Sequence, residues 1–69
     1  MTVASVTEIS AASPEGFEEA IREGVERANE TLRNIQSAWV KDMNLLMEDG
    51  QVRAYKVNLL VTFVLEDAT

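Results

Sequence analysis

The chain has 69 residues, a formal net charge of -6 from twelve acidic against six basic residues, and neither cysteine nor histidine. That length excludes two domains, so residues 1–69 are read as one, and a chain this small buries only about 60% of the surface its unfolded form exposes. Small scaffolds make up the deficit with a disulfide, a metal or partner subunits, and the missing Cys and His leave association of subunits as the support to expect.

The opening, with Val3, Ser5 and Thr7 alternating with Ala4, Val6 and Glu8 up to Ile9, is rich in β-branched residues and predicts a first strand over about 3–10. Ser13 followed by Pro14 reads as an N-cap and first-turn pair, and Glu15, Glu18 and Glu19 place negative charge where a helix amino end favours it. Phe17, Ile21, Val25, Ala28 and Leu32 then recur at steps of four, four, three and four, which predicts an amphipathic helix over about 14–33. Glu18 with Arg22 and Glu23 with Arg27 stand in the acid-first order that favours pairing across one turn. Asn34 tolerates a left-handed backbone and is expected to mark the helix end.

From 35 to 47 the helical period disappears and β-compatible residues continue to Asp49-Gly50, a strong hairpin-turn signal. Residues 52–65 alternate most clearly. Tyr55, Val57, Leu59, Val61, Phe63 and Leu65 fall on one face, and Lys56, Asn58, Leu60, Thr62 and Val64 on the other. The tail, 66–69, is expected to fray.

The order is therefore β-α-β-β, an α+β chain. The helix joins two strands that lie parallel when the third, the most apolar, runs antiparallel between them. The expected core is Phe17, Ile21, Val25, Ala28 and Leu32 against Val57, Leu59, Val61 and Phe63. A helix of about 20 residues measures about 30 Å, and strands of about 12 or more residues reach about 40 Å, so the hairpin is expected to project beyond the helix. The second apolar face, Leu60, Val64 and Trp39, has nothing within one chain to cover it, and other subunits are expected to do so.

Composition also bounds function. Without thiol or imidazole the commonest nucleophiles and bases are absent, so the chain is read as a non-enzyme. Lys41, Arg53 and Lys56 are too few for a basic stripe in an acidic chain, so no nucleic acid and no anionic membrane is expected as partner. The amino terminus lacks the pattern of a secretory signal and no apolar run approaches a membrane span, which reads as a soluble, cytoplasmic protein.

Ser13-Pro14-Glu15-Gly16-Phe17-Glu18-Glu19-Ala20-Ile21, Arg27-Ala28 with Thr31-Leu32-Arg33, the Asp49-Gly50 turn, and Val61-Thr62-Phe63-Val64-Leu65-Glu66 together resemble the dodecins, small flavin-binding proteins of bacteria and archaea. The likeness runs through nearly the whole chain without a gap. It implies a three-stranded antiparallel sheet, third strand central, curled around one long helix and assembled as a hollow dodecamer. It also implies riboflavin or FMN bound in pairs at two-fold axes against tryptophans, for storage and sequestration rather than turnover. A large flat indole stacks on the isoalloxazine, and close stacking quenches its photochemistry by electron transfer.

Two positions depart from the family pattern. A gapless alignment puts the family's stacking tryptophan at Ser37, whereas the sole tryptophan here is Trp39, on the same face of the strand and about 7 Å further along it. Lys56 stands where flavin-binding members carry glutamine, and an ammonium offers donors only where a carboxamide offers donor and acceptor. Ser37, Trp39 and Lys56 are therefore the candidate cofactor-binding residues. Each has a plainer reading: Trp39 as an interface-packing residue, and Lys56 as a charge partner for carboxylates at a subunit junction. The alternative to flavin storage is a structural shell that has lost flavin, its multiplied negative charge drawing cations to carboxylates such as Asp42, Glu48, Asp49 and Glu66.

Overall fold

The structure, a computed structural model, describes residues 3–65. The expected frayed tail and the Glu66 carboxylate lie outside them. The elements are β1 (Val3–Ser13), α1 (Phe17–Thr31), β2 (Ile35–Glu48) and β3 (Gln51–Leu65). They form one antiparallel-paired sheet in the order β1-β3-β2, so the third strand is central, as its apolar composition dictates.

The link into α1 differs from the expected cap. Ser13 is still a strand residue, paired with Tyr55 and buried. Its hydroxyl accepts the Glu15 N–H at 3.1 Å. That local bond closes a turn through Pro14, and the helix begins only after Gly16, whose carbonyl accepts the Ala20 N–H at 3.1 Å. A serine that satisfies a nearby backbone donor in a turn is no longer free to cap the helix. Glu18 and Glu19 nevertheless occupy the first turn, where the helix dipole favours them. Arg22 bridges both, at 3.2 Å to Glu18 and 3.0 Å to Glu19. Arg27 pairs with Glu30 at 3.7 Å instead of with Glu23, since an exposed guanidinium chooses between acids of nearly equal reach. The helix ends at Thr31, earlier than expected, and Asn34 takes the left-handed conformation (φ 59°) in the link beyond it. The Asn34 carbonyl accepts the Val64 N–H at 3.0 Å, tying the link to the end of β3.

The turn after β2 is formed by Asp49 (φ 51°) and Gly50 (φ 76°), both left-handed, the geometry whose twist matches that of the flanking strands. β2 itself is irregular, with register shifts between Ile35 and Ser37, Val40 and Asp42, and Leu46 and Met47. The first two insert an extra residue on β2 and the third an extra residue, Arg53, on β3; each shifts the side-chain alternation by one, which is why 35–47 shows no clean period.

The core lies between α1 and the inner face of β3. Ala20, Val57, Leu59 and Val61 are fully buried there, with Ile9, Ala11, Phe17, Ile21, Val25, Leu32, Ile35 and Val40 packed around them. Phe17 meets Tyr55 edge to face at 5.1 Å. Gly24 sets the approach of helix to sheet: a Cβ there would stand 3.0 Å from the Ala11 Cβ and 3.3 Å from Leu59 Cδ1. Phe63, expected in this core, is only half-buried and lies outside the cluster, because the shorter helix stops before reaching its end of β3. A 15-residue helix spans about 22 Å against about 50 Å for a 15-residue strand. The molecule is accordingly elongated, 55 × 19 × 13 Å, and its hairpin end exposes Met43, Leu45, Met47 and Val52.

Candidate functional site

The strand register decides which side chains share the face that α1 leaves uncovered. On β3 this outer face carries Lys56, Asn58, Leu60, Thr62 and Val64, opposite to Val57, Leu59 and Val61. Paired residues of adjacent strands lie on one face, so β2 and β1 add their own members row by row. Ser37 and Val6 flank Thr62, and Trp39 and Glu8 flank Leu60. Asp42 and Ser10 flank Asn58, and Asn44 and Ala12 flank Lys56.

Trp39 is 73% exposed in the single chain. An indole with that much bare surface beside Leu60 is a platform or an interface wedge, since neither water nor the chain itself is a good partner for it. Ser37 lies in the neighbouring row, on the same face, as expected. Lys56 also faces outward but is four residues along β3 from Leu60, about 13 Å at strand spacing, so one chain does not bring it to the indole.

Two polar contacts border Trp39 that the sequence did not single out. Lys41 Nζ reaches Glu8 at 3.4 Å, linking the two outer strands across the central one. Asn58 Nδ2 donates to Asp42 Oδ1 in the row next to the indole. Alternation alone placed Asn58 on the outer face. Asp42 joins it only because the extra residue after Val40 shifts the register, a feature that leaves no mark in the sequence.

The acid groups do not converge. Among the described residues no set of three or more carboxylates stands close enough to hold a metal ion, and Asp42 is engaged by Asn58 while Glu48 and Asp49 sit at the hairpin turn. A groove of about 490 Å³ runs between the β1 edge and α1, lined by Ile9, Ala11, Gly24 and Ala28 among others, with Glu23 and Arg27. It contains none of Ser37, Trp39 and Lys56. Among the described residues no helix is long and apolar enough to cross a membrane.

Comparison with known proteins gives a consistent result. The dodecin family model matches residues 3–66. A dodecin from Streptomyces davaonensis superposes with a TM-score of 0.90 at 36% identity, covering 96% of this chain and 97% of its own. The tt0972 protein of Thermus thermophilus does so with a TM-score of 0.91 at 34% identity, covering 99% and 100%. The calcium dodecin of Mycobacterium tuberculosis, a calcium-chelating antigen with a calcium-binding site, aligns with a TM-score of 0.83 at 27% identity over 97% and 96%. No curated protein sequence matches the chain.

Proposed function

The chain belongs to the dodecin family, and from that premise we propose that it binds a flavin, riboflavin or FMN, without chemistry, storing and sequestering it in a dodecameric assembly in the cytoplasm. Dodecins are small, oligomeric, non-enzymatic binding proteins. The observation that carries the reading is the bare indole of Trp39 on an open sheet face. A planar heteroaromatic ring stacks on such a surface through its own apolar face, and the Leu60 side chain beside it gives the stack an apolar border.

The donor set around the indole fits a flavin, whose ring system has an apolar body and one edge of alternating acceptors and a donor. Ser37 and Thr62 supply hydroxyls on one flank, and Asn58 and Asp42 supply amide and carboxylate on the other. Bound flavin would bring its photochemistry, and a stacked indole would quench the excited ring by electron transfer. Trp39 binds and orients the ring, Leu60 excludes water from one side, and a second subunit covering the outer face completes the enclosure. Lys56, set apart along β3, is proposed to meet carboxylates or a ligand phosphate at the subunit junction.

Riboflavin and FMN titrated into wild type and Trp39→Ala, at matched oligomer concentration and followed by quenching of flavin fluorescence, test this. The expected loss is about 1–3 kcal/mol per stacked ring, by analogy with base stacking on aromatic side chains. Wild type that binds neither flavin at micromolar concentration ends the reading. Weakened assembly with unaltered flavin affinity makes Trp39 an interface wedge instead.

A second reading, a shell that binds cations in place of flavin, is favoured by the likeness to the calcium dodecin. It predicts a colourless protein, indifferent to riboflavin, whose thermal midpoint rises with added calcium.

A further inference from the structure

Beside Trp39 the outer face holds a polar pair with spare hydrogen-bonding capacity. Asn58 Nδ2 donates to Asp42 Oδ1, and a carboxylate only accepts, so Asp42 determines which end of the Asn58 amide is nitrogen. The second N–H of Nδ2 and the Oδ1 of Asn58 carry no other protein bond among the described residues. They form a donor next to an acceptor, in fixed order.

The register places this pair one row from the indole. Leu60 pairs with Trp39, and Asn58 with Asp42, two residues on along β3, a step of about 6.7 Å. Side chains on a sheet stand nearly perpendicular to it. A ring stacked on the Asp42 side of Trp39, about 3.5 Å from the indole, therefore stands midway between the two rows with its lower edge over Asn58. The Lys41–Glu8 bridge closes the β1 side of the Leu60 row.

We propose that the Asn58 carboxamide, oriented by Asp42, recognises the imide edge of the flavin, its N–H donating to a ring carbonyl and its oxygen accepting the ring N3–H. The hydroxyls of Ser37 and Thr62 on the other flank rotate and accept or donate indifferently, so they do not impose that order. Asn58 is thus a specificity-determining residue, and this assignment rests on the flavin reading above.

The test compares riboflavin with 3-methylriboflavin, whose N3 carries no hydrogen, in wild type, Asn58→Leu and Asp42→Asn, with light scattering to verify assembly. Wild type is expected to prefer riboflavin about tenfold, the scale of one buried hydrogen bond with its partner left unpaired when methylated. Asn58→Leu should bind both flavins alike, and Asp42→Asn, which frees the amide to flip, should shrink the preference even if the leucine variant does not assemble. Wild type that binds both flavins equally overturns the assignment and leaves flavin storage standing. A preference that survives both Asn58→Leu and Asp42→Asn overturns it likewise. Wild type that binds neither flavin removes both.

Discussion

The two faces of β3 differ in apolar content and have opposite fates. Val57, Leu59 and Val61 are wholly buried, because α1 belongs to the same chain and its apolar stripe lies over them. Leu60 and Val64 on the reverse face are only partly covered, and Trp39 beside Leu60 is largely bare. One helix covers one side of a sheet. The described residues hold no second helix, so the inner face is a question of folding and the outer face one of the association and ligand binding proposed above. The same division explains why the inner face is dominated by aliphatic side chains, while the outer one mixes Leu60 and Trp39 with Asn58, Asp42 and the Lys41–Glu8 pair.

A charge on the outer face is the largest expected perturbation. Leu60→Asp puts an unpaired carboxylate where another subunit is proposed to sit, at a cost of about 3–5 kcal/mol per site. Light scattering should show the assembly reduced to small species, whereas Leu60→Met should assemble normally. An intact oligomer of the aspartate variant means that this face stays in water.

On the inner face, Leu59→Ala removes a fully buried side chain and should destabilise by about 2–5 kcal/mol in urea titration. Phe63→Ala removes more atoms but from a half-buried position beyond the helix, and should cost less than Leu59→Ala. The reverse order would show that another subunit covers Phe63, moving that residue from the folding side of the comparison to the association side.

Gly24→Ala probes how tightly the covering helix is set. Better helix propensity contributes about 0.5–1 kcal/mol, but overpacking costs about 1–3 kcal/mol, and the nearest atom is the Ala11 Cβ, which cannot rotate away. Net destabilisation of about 1 kcal/mol is expected, relieved by Ala11→Gly in the same chain. A stabilised Gly24→Ala protein would mean that α1 rides higher on the sheet.

The smallest effect belongs to Glu8→Gln. Both members of the Lys41–Glu8 pair are about half exposed, so the thermal midpoint should move by less than about 1 kcal/mol in equivalent stability, and added salt should erase the difference. A larger, salt-resistant change would show that the bridge is buried in the assembly.

Much of this arrangement is written in the residues themselves. The helical recurrence of Phe17, Ile21, Val25, Ala28 and Leu32, the Asp49-Gly50 turn and the alternation over 52–65 are local patterns with one favourable geometry each, and they suffice for β-α-β-β with the third strand central. The outward placement of Ser37, Trp39 and Lys56 was legible for the same reason. What is set by neighbours distant in sequence was not. Ser13 reads as a cap but ends a strand, because Tyr55 pairs with it and Glu15 takes its hydroxyl. Phe63 reads as core but outruns the helix, because helix and strand rise at different rates per residue. Asp42 comes to Asn58, beside Trp39, because β2 bulges against β3 after Val40. A bulge answers the mismatch between two twisted, paired strands, and neither strand alone encodes it, so the polar border of the indole was decided only when the sheet closed.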